Sequence, residues 1–348
     1  MRTTVRAILV AVCLVLPSLS VLAKDSTCGL KRYASLEFKI TRNGLLVPAT
    51  VRSHAVWMVL NLQSPITILY DRDVAQYLTR RDHLPADQEM DFGTQRVKEY
   101  GTTETFLLDS LNFTKIQFLI VDAPADPTVI DGKPIIGAMG LDVVSQVDFE
   151  LDFAQRRLNL YSPEHCRGSV VYWADRYGAV PLTRGPIGSL NFPLELDGHQ
   201  IMAHISTSSL ATSLPTDVTR KLYHFDTQSP DVEHETDSAG HPHAHFRAMA
   251  LTTQGLAVTN ARVQLIDPFP HCSLAFESGK SHAARYDGCI GREAPLTLGM
   301  GVLQHLHLYF ATKEKMLYFT AAETGHDPAA TQPLSAPVAT APTDPTPR

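Results

Sequence analysis

Between Tyr33 and Ala322 the apolar residues fall in short alternating runs broken by Gly, Pro, Asn and Asp, and few stretches repeat at helical spacing. Runs at 38–40, 47–51, 56–60, 106–108, 116–121 and 158–161 predict strands. Helical spacing is brief, at 71–78, 141–144, 216–222 and 302–306. The pattern predicts an all-β chain with few short helices.

The pattern also repeats. Val47-Pro-Ala-Thr-Val51 followed by Val56-Trp-Met-Val-Leu60 returns 145 positions later as Phe192-Pro-Leu-Glu-Leu196 followed by Ile201-Met-Ala-His-Ile205. Each copy leads into a polar tetrad, Asn61-Leu62-Gln63-Ser64 and Ser206-Thr207-Ser208-Ser209. Further on, Met139-Gly140-Leu141 pairs with Leu298-Gly299-Met300 at an offset of 159, which holds to Leu158 and Leu160 against Leu317 and Phe319. Four matches in one order indicate an internal duplication. The longer second offset predicts extra loop in the second copy, coinciding with the His-rich run 234–245 and with segment 272–289.

The ends of the chain change the picture. Residues 1–23 carry Arg2 and Arg6, an apolar run over 7–16, and Val21-Leu22-Ala23 before Lys24, the pattern of a cleaved secretory signal. The run is short for a membrane span, which needs roughly 20 residues. A periplasmic or secreted chain is expected, with no membrane span after cleavage. Residues 325–348 are rich in Pro, Ala and Thr and predict a disordered tail. Removal of the signal leaves Cys28, Cys166, Cys272 and Cys289, an even set in an oxidising compartment, which predicts two disulfides. Three pairings are possible; Cys272 with Cys289 is local and leaves Cys28 with Cys166. No Cys-x-x-Cys spacing favours zinc over disulfides. The net charge of -6 is spread along the chain, which disfavours nucleic acid as a partner.

The order of strand, turn, strand, tetrad and later hydrophobic-hydrophobic-Gly resembles the retropepsin-like and pepsin-like aspartic protease families, over roughly residues 34–322. In such lobes the second strand ends in Asp-Thr-Gly-Ser or Asp-Thr-Gly-Ala. Here Trp57-Met-Val-Leu60 leads to Asn61-Leu62-Gln63-Ser64, with Ala138-Met139-Gly140 similar to the Gly motif; Met202-Ala-His-Ile205 leads to Ser206-Thr207-Ser208-Ser209, with Thr297-Leu298-Gly299 closing the copy. The resemblance implies two tandem lobes, 34–165 and 180–322, related by a pseudo-two-fold axis, with Gly140 and Gly299 as structural glycines. It also implies a cleft lined by Asn61, Gln63, Ser64, Ser206, Thr207 and Ser209. Tyr100-Gly101-Thr102 is similar to the tip of the flap that closes over bound peptide.

The departures decide the chemistry. Asn61 and Ser206 stand where the family has its two catalytic aspartates, and Gln63 and Ser208 replace glycines. The family mechanism needs two carboxylates sharing a proton, one acting as base on water and the other as acid toward the amide. Asn61 cannot deprotonate water, and Ser206 carries no charge. Asp71 and Asp73 read as a helix start, Asp142 as facing away from the cleft and Asp152 as a strand residue, so none stands in for the lost acids. His204 and Ser206 alternate onto one strand face, yet no Gly-x-Ser-x-Gly elbow makes a serine nucleophile. The alternating His241, His243 and His245 suit a soft divalent ion or a solvated loop. The sequence therefore predicts a catalytically inactive, peptide- or protein-binding relative of these proteases. It is expected to be monomeric, with no cofactor or metal and an extended peptide or protein in the interlobe cleft. The alternatives are an active endopeptidase with an unrecognised acid, or a structural or metal-holding envelope protein.

Overall fold

The computed structural model describes residues 29–322 apart from 93–94, 125–127, 186–187, 237–239, 255 and 268–293. The expected signal segment, the tail, and Cys28, Cys272 and Cys289 with their pairings lie outside the described residues. The alternating sequence folds as alternating strands, and the all-β reading holds. The only helix longer than four residues among those described is Thr216–Tyr223.

Three large sheets carry the architecture. One is formed wholly by strands between Lys39 and Met139, and a second by strands between Thr183 and Leu298. The third draws on both halves of the chain. Its six strands run in the order Arg32–Glu37, Arg157–Tyr161, Asp148–Asp152, Leu306–Ala311, Met316–Ala321, Gly178–Pro181, three from each half. At its middle, Asp148–Asp152 lies antiparallel to Leu306–Ala311 with Glu150 opposite Tyr309. The flanking hairpins share a register: Asp148 is opposite Tyr161, and His307, 159 positions on, is opposite Thr320.

Period-two alternation gives this sheet two unlike faces. Leu36, Phe149, Leu151, Leu158, Leu160, Leu308, Phe310, Leu317 and Phe319 face the main core. Phe149 and Phe310 stack there with ring centroids 4.3 Å apart, a contact worth about 1 kcal/mol beyond the area buried. Asp148, Glu150, Asn159, Tyr161 and Tyr309 are also buried, and segment 162–177 packs over their neighbourhood through Val170, Val171 and Trp173.

Some sequence expectations are corrected. The apolar spacing at 71–78 is not a helix: only Val74–Gln76 turns, as a 3-10 helix preceded by Asp73 at φ 54°. Val74, Tyr77 and Leu78 are spaced to reach the core from an irregular turn. The helix expected at 302–306 is Met300–Leu303, and Leu306 begins the next strand. The two ends of the His-rich run are strand rather than loop: Glu233–Thr236 pairs antiparallel with Pro242–Thr253, Glu235 opposite His243. Among the described residues no helix is long and apolar enough to cross a membrane.

Candidate functional site

The two tetrads are turns held by the same hydrogen bonds. Strand His54–Leu60 runs parallel to Lys133–Met139, and the Asn61 N–H donates to Met139 O at 2.9 Å. Strand His199–Ile205 runs parallel to Leu296–Leu298, and the Ser206 N–H donates to Leu298 O at 2.9 Å. Leu141 N–H donates to Ser64 O, and Met300 N–H to Ser209 O, both at 2.8 Å. Thr67 Oγ1 accepts from Gly140 N–H at 2.9 Å, as Thr212 Oγ1 does from Gly299 N–H at 3.1 Å. A Cβ on Gly140 would lie 2.7 Å from the Ile66 backbone, and one on Gly299 2.2 Å from Ala211 O. Both glycines are needed for this close approach, not for an unusual φ.

The turns also meet each other, through one residue. Thr207 Oγ1 donates to Leu60 O at 2.5 Å and accepts from Leu62 N–H at 3.3 Å, both buried contacts across the two halves. Its carbonyl accepts from Leu45 N–H at 2.8 Å. Gly44, at φ 103°, comes so close to this turn that a Cβ would sit 2.8 Å from Ser208 Cα and Thr207 O. Leu62, the counterpart of Thr207, returns no side-chain hydrogen bond and is buried in the core. Neither Gln63 nor Ser208 has a positive φ. The first turn is closed instead by Asn61, whose Oδ1 accepts from Gln63 N–H at 3.1 Å, an Asx-type turn. In the second, Ser206 Oγ and Ser208 Oγ lie 3.4 Å apart.

Beside the turns the two halves differ in polarity. Trp57, Val59 and Ala138 join a buried apolar cluster against which Ile66, Tyr70, Tyr100, Ile130 and Ile135 pack partly exposed. The residues 145 and 159 positions beyond Val59 and Ala138 are His204 and Thr297, both polar. His204 is 2% exposed. Its Nδ1 lies 2.9 Å from Ala294 O, which can only accept, so Nδ1 carries the proton and Nε2 is the acceptor. That acceptor receives Gln63 Nε2 at 2.8 Å and Thr297 Oγ1 at 3.0 Å. Burial pushes the His204 pKa down to about 4, against a smaller opposing effect of the Ala294 bond, so the ring is neutral at pH 7. The Gln63 bridge, spanning 141 positions, has no periodic signal in the sequence; the one available hint was polarity at 204 where the first copy has Val59.

The other candidates are occupied structurally. Asp142, nominated as facing away, accepts from Thr67 N–H at 3.0 Å and Thr67 Oγ1 at 2.6 Å, and burial raises its pKa. Asp71 Oδ1 accepts from Ala123 N–H at 3.0 Å, and Asp152 Oδ1 from Gln155 N–H at 2.9 Å. Tyr100 and Gly101 are not at a hairpin tip: they lie inside Glu99–Thr103, paired with Ile116–Val121 on one side and Arg80–His83 on the other. Gly101 is there because a Cβ would fall 2.4 Å from the Leu78 side chain. Earlier in the chain, Met90–Phe92 pairs antiparallel with Gln95–Val97. In the His-rich strands, His243 Nδ1 is 2.8 Å from Gln264 Nε2, Glu235 is paired with Arg262, and Glu233 with Arg247. Among the described residues no group of three or more His, Cys, Asp or Glu is arranged to hold a metal.

No protein-family description matches the chain, and no curated protein sequence does. Among solved structures, basic 7S globulin from soybean is similar in architecture, with a TM-score of 0.46 and 12% identity over 85% of this chain and 97% of that one. So loose a likeness carries no argument about this chain.

Proposed function

We propose that the chain is an exported protein of aspartic-protease-like build, its halves related by a pseudo-two-fold axis, that holds an extended peptide or protein segment between them without cutting it. The observation that carries the reading is the meeting of the two tetrad turns through Thr207, with Asn61 and Ser206 where an acid pair would stand. Symmetry is supported by the shared hairpin registers and by Glu150 lying opposite Tyr309, its own counterpart at offset 159. The ionisable group nearest in the bond network is His204, buried and neutral. General acid and base catalysis contribute typically ~10² to 10⁴-fold, and these groups supply neither. The half-exposed Ile66, Tyr70, Tyr100, Ile130 and Ile135 offer apolar surface to an extended ligand.

The mature chain is expected to leave denatured protein substrates intact from about pH 3 to 8. Labelled extended apolar peptides are expected to bind, and Ile135→Asp to weaken them. Turnover that follows a carboxylate titration and vanishes with one Asp substitution would replace this reading with an endopeptidase using another acid. Export carries its own test. Ser162 N–H donates to Lys31 O, and Arg32 lies opposite Tyr161. Oxidation outside the cytoplasm should join Cys28 to Cys166, a pairing that non-reducing peptide mapping should recover.

A further inference from the structure

Segment 162–177, which connects the halves, lies against the polar face of the six-stranded sheet, and one imidazole is sealed beneath its first turn. The His165 side chain is 1% exposed. Its Nε2 lies 2.6 Å from Asp148 Oδ2, its Nδ1 3.1 Å from Cys166 O and 3.3 Å from Glu314 Oε1. All three neighbours are acceptors, so hydrogen bonding at both ends of the ring requires both nitrogens to carry protons. Burial opposes that charge, but the bonds to Asp148 and Cys166 and the charges of Asp148 and Glu314 outweigh it, raising the pKa above the ordinary imidazole value.

From the strand Leu306–Ala311 and the turn after it, Tyr309 Oη lies 3.4 Å from Asp148 Oδ2, and Thr312 donates N–H and Oγ1 to Asp148 Oδ1, both at 2.8 Å. Glu314 accepts from Gly168 N–H at 3.0 Å and Tyr318 Oη at 2.7 Å. Lys313 pairs with Glu164, and Arg167 lines the same hollow as His165. The far end of the segment is held separately. Tyr172 Oη donates to Glu150, which also binds Asn159, Tyr161 and His307, and Trp173 stacks on His307 at 4.1 Å. Burial opposes ionisation of Glu150, yet the bonds from His307, Tyr161 and Asn159 hold its pKa below the usual carboxylate range. Tyr172 is pushed up to about 12, chiefly by burial. Neither of those two groups titrates where an imidazole does.

We propose that the turn 163–170 is a proton-gated latch: it is docked on the sheet while His165 is an imidazolium, and it loosens when that proton leaves. The sign follows from the raised value. The latch's contribution is complete below the unfolded imidazole pKa of ~6.5 and is lost as pH rises through the higher folded value. The neutral ring still donates to Asp148, but a lone pair then faces the Cys166 carbonyl and Glu314, with no donor between them.

Hydrogen–deuterium exchange on the full chain, corrected for intrinsic rates, tests this between about pH 6 and 9, a range that brackets the imidazole titration. Protection of the Gly168 and Ser169 amides is expected to fall about tenfold through a one-proton transition, while the ladder of Met316–Ala321 stays protected. His165→Gln should abolish the transition and His307→Gln should keep it. Glu314→Gln, which removes one of the charges stabilising the imidazolium, should move the midpoint to lower pH and decides the matter if His165→Gln does not fold. Constant protection in the natural chain, a transition surviving in His165→Gln, or an unmoved midpoint in Glu314→Gln would each overturn the latch.

Discussion

The turns Asn61–Ser64 and Ser206–Ser209 carry matching backbone hydrogen bonds, yet they contribute unequally to the contact between the halves. Thr207 reaches across twice, to Leu60 O and from Leu62 N–H, while Leu62 turns into its own core and gives nothing back. The difference teaches that one side chain suffices to join the turns, because Thr207 satisfies both a carbonyl and an amide of the first half. On the faces beside the turns the asymmetry has the same sense: the first half is apolar at Val59 and Ala138, and the second is polar at His204 and Thr297.

The comparison is broken most severely at Thr207. Thr207→Val keeps the shape but leaves Leu60 O and Leu62 N–H buried without this partner. Each such group costs about 1 to 3 kcal/mol, so a loss of about 3 kcal/mol is expected in urea unfolding. Ser209→Ala, which removes only the contacts at 3.4 and 3.2 Å to Ala211, should cost less than about 1 kcal/mol. Equal costs for the two variants would mean that Thr207 is not the joint.

The second measurement uses pH. His204 has a folded pKa of about 4. The unfolded chain therefore binds a proton that the native chain refuses, and stability falls as pH drops from ~6.5 toward ~4. The slope is about 1.4 kcal/mol per pH unit, or about 3 kcal/mol across the window. His204→Gln should flatten that part of the stability curve, while a substitution at Val59 should leave its slope unchanged. Asp142, raised by burial, adds a contribution of the opposite sense: its protonated form is favoured by folding, so its effect weakens as pH rises through the carboxylate range.

Much of this arrangement was legible before any coordinates, and the reason is periodicity. The copies at offsets 145 and 159 placed the turns and the glycines Gly140 and Gly299, because strand alternation and close backbone approach leave marks at fixed spacing. What was missed lacks such marks. Glu150 and Asp148 alternate with Phe149 and Leu151 like residues of a solvated face, but the connection 162–177, which has no period of its own, buries them. The run His241, His243, His245 was read as a metal site or a solvated loop, although the alternation of His243 and His245 is that of the strand Pro242–Thr253. Tyr100-Gly101 was read as a flap tip from its resemblance to one; here the missing side chain of Gly101 makes room for Leu78 inside a paired strand.

The finest test of the comparison is Gln63, which uses its side chain to couple the unlike faces. Its amide donates to His204 Nε2 at 2.8 Å, but Thr297 Oγ1 approaches the same nitrogen at 3.0 Å and would remain in Gln63→Ala. The imidazole would therefore keep an acceptor bond and the half-buried glutamine would leave no sealed orphan, so a loss of only about 1 kcal/mol is expected. A double-mutant cycle with His204→Gln isolates the bridge: the two substitutions should couple by about 1 kcal/mol, while Gln63→Ala with Ser209→Ala should be additive within about 0.5 kcal/mol. Thr297→Val in the Gln63→Ala background should then cost more than in the natural chain, because the last donor to a buried nitrogen is removed. Additivity of Gln63→Ala with His204→Gln would show that the side-chain coupling at the two turns rests on Thr207 alone.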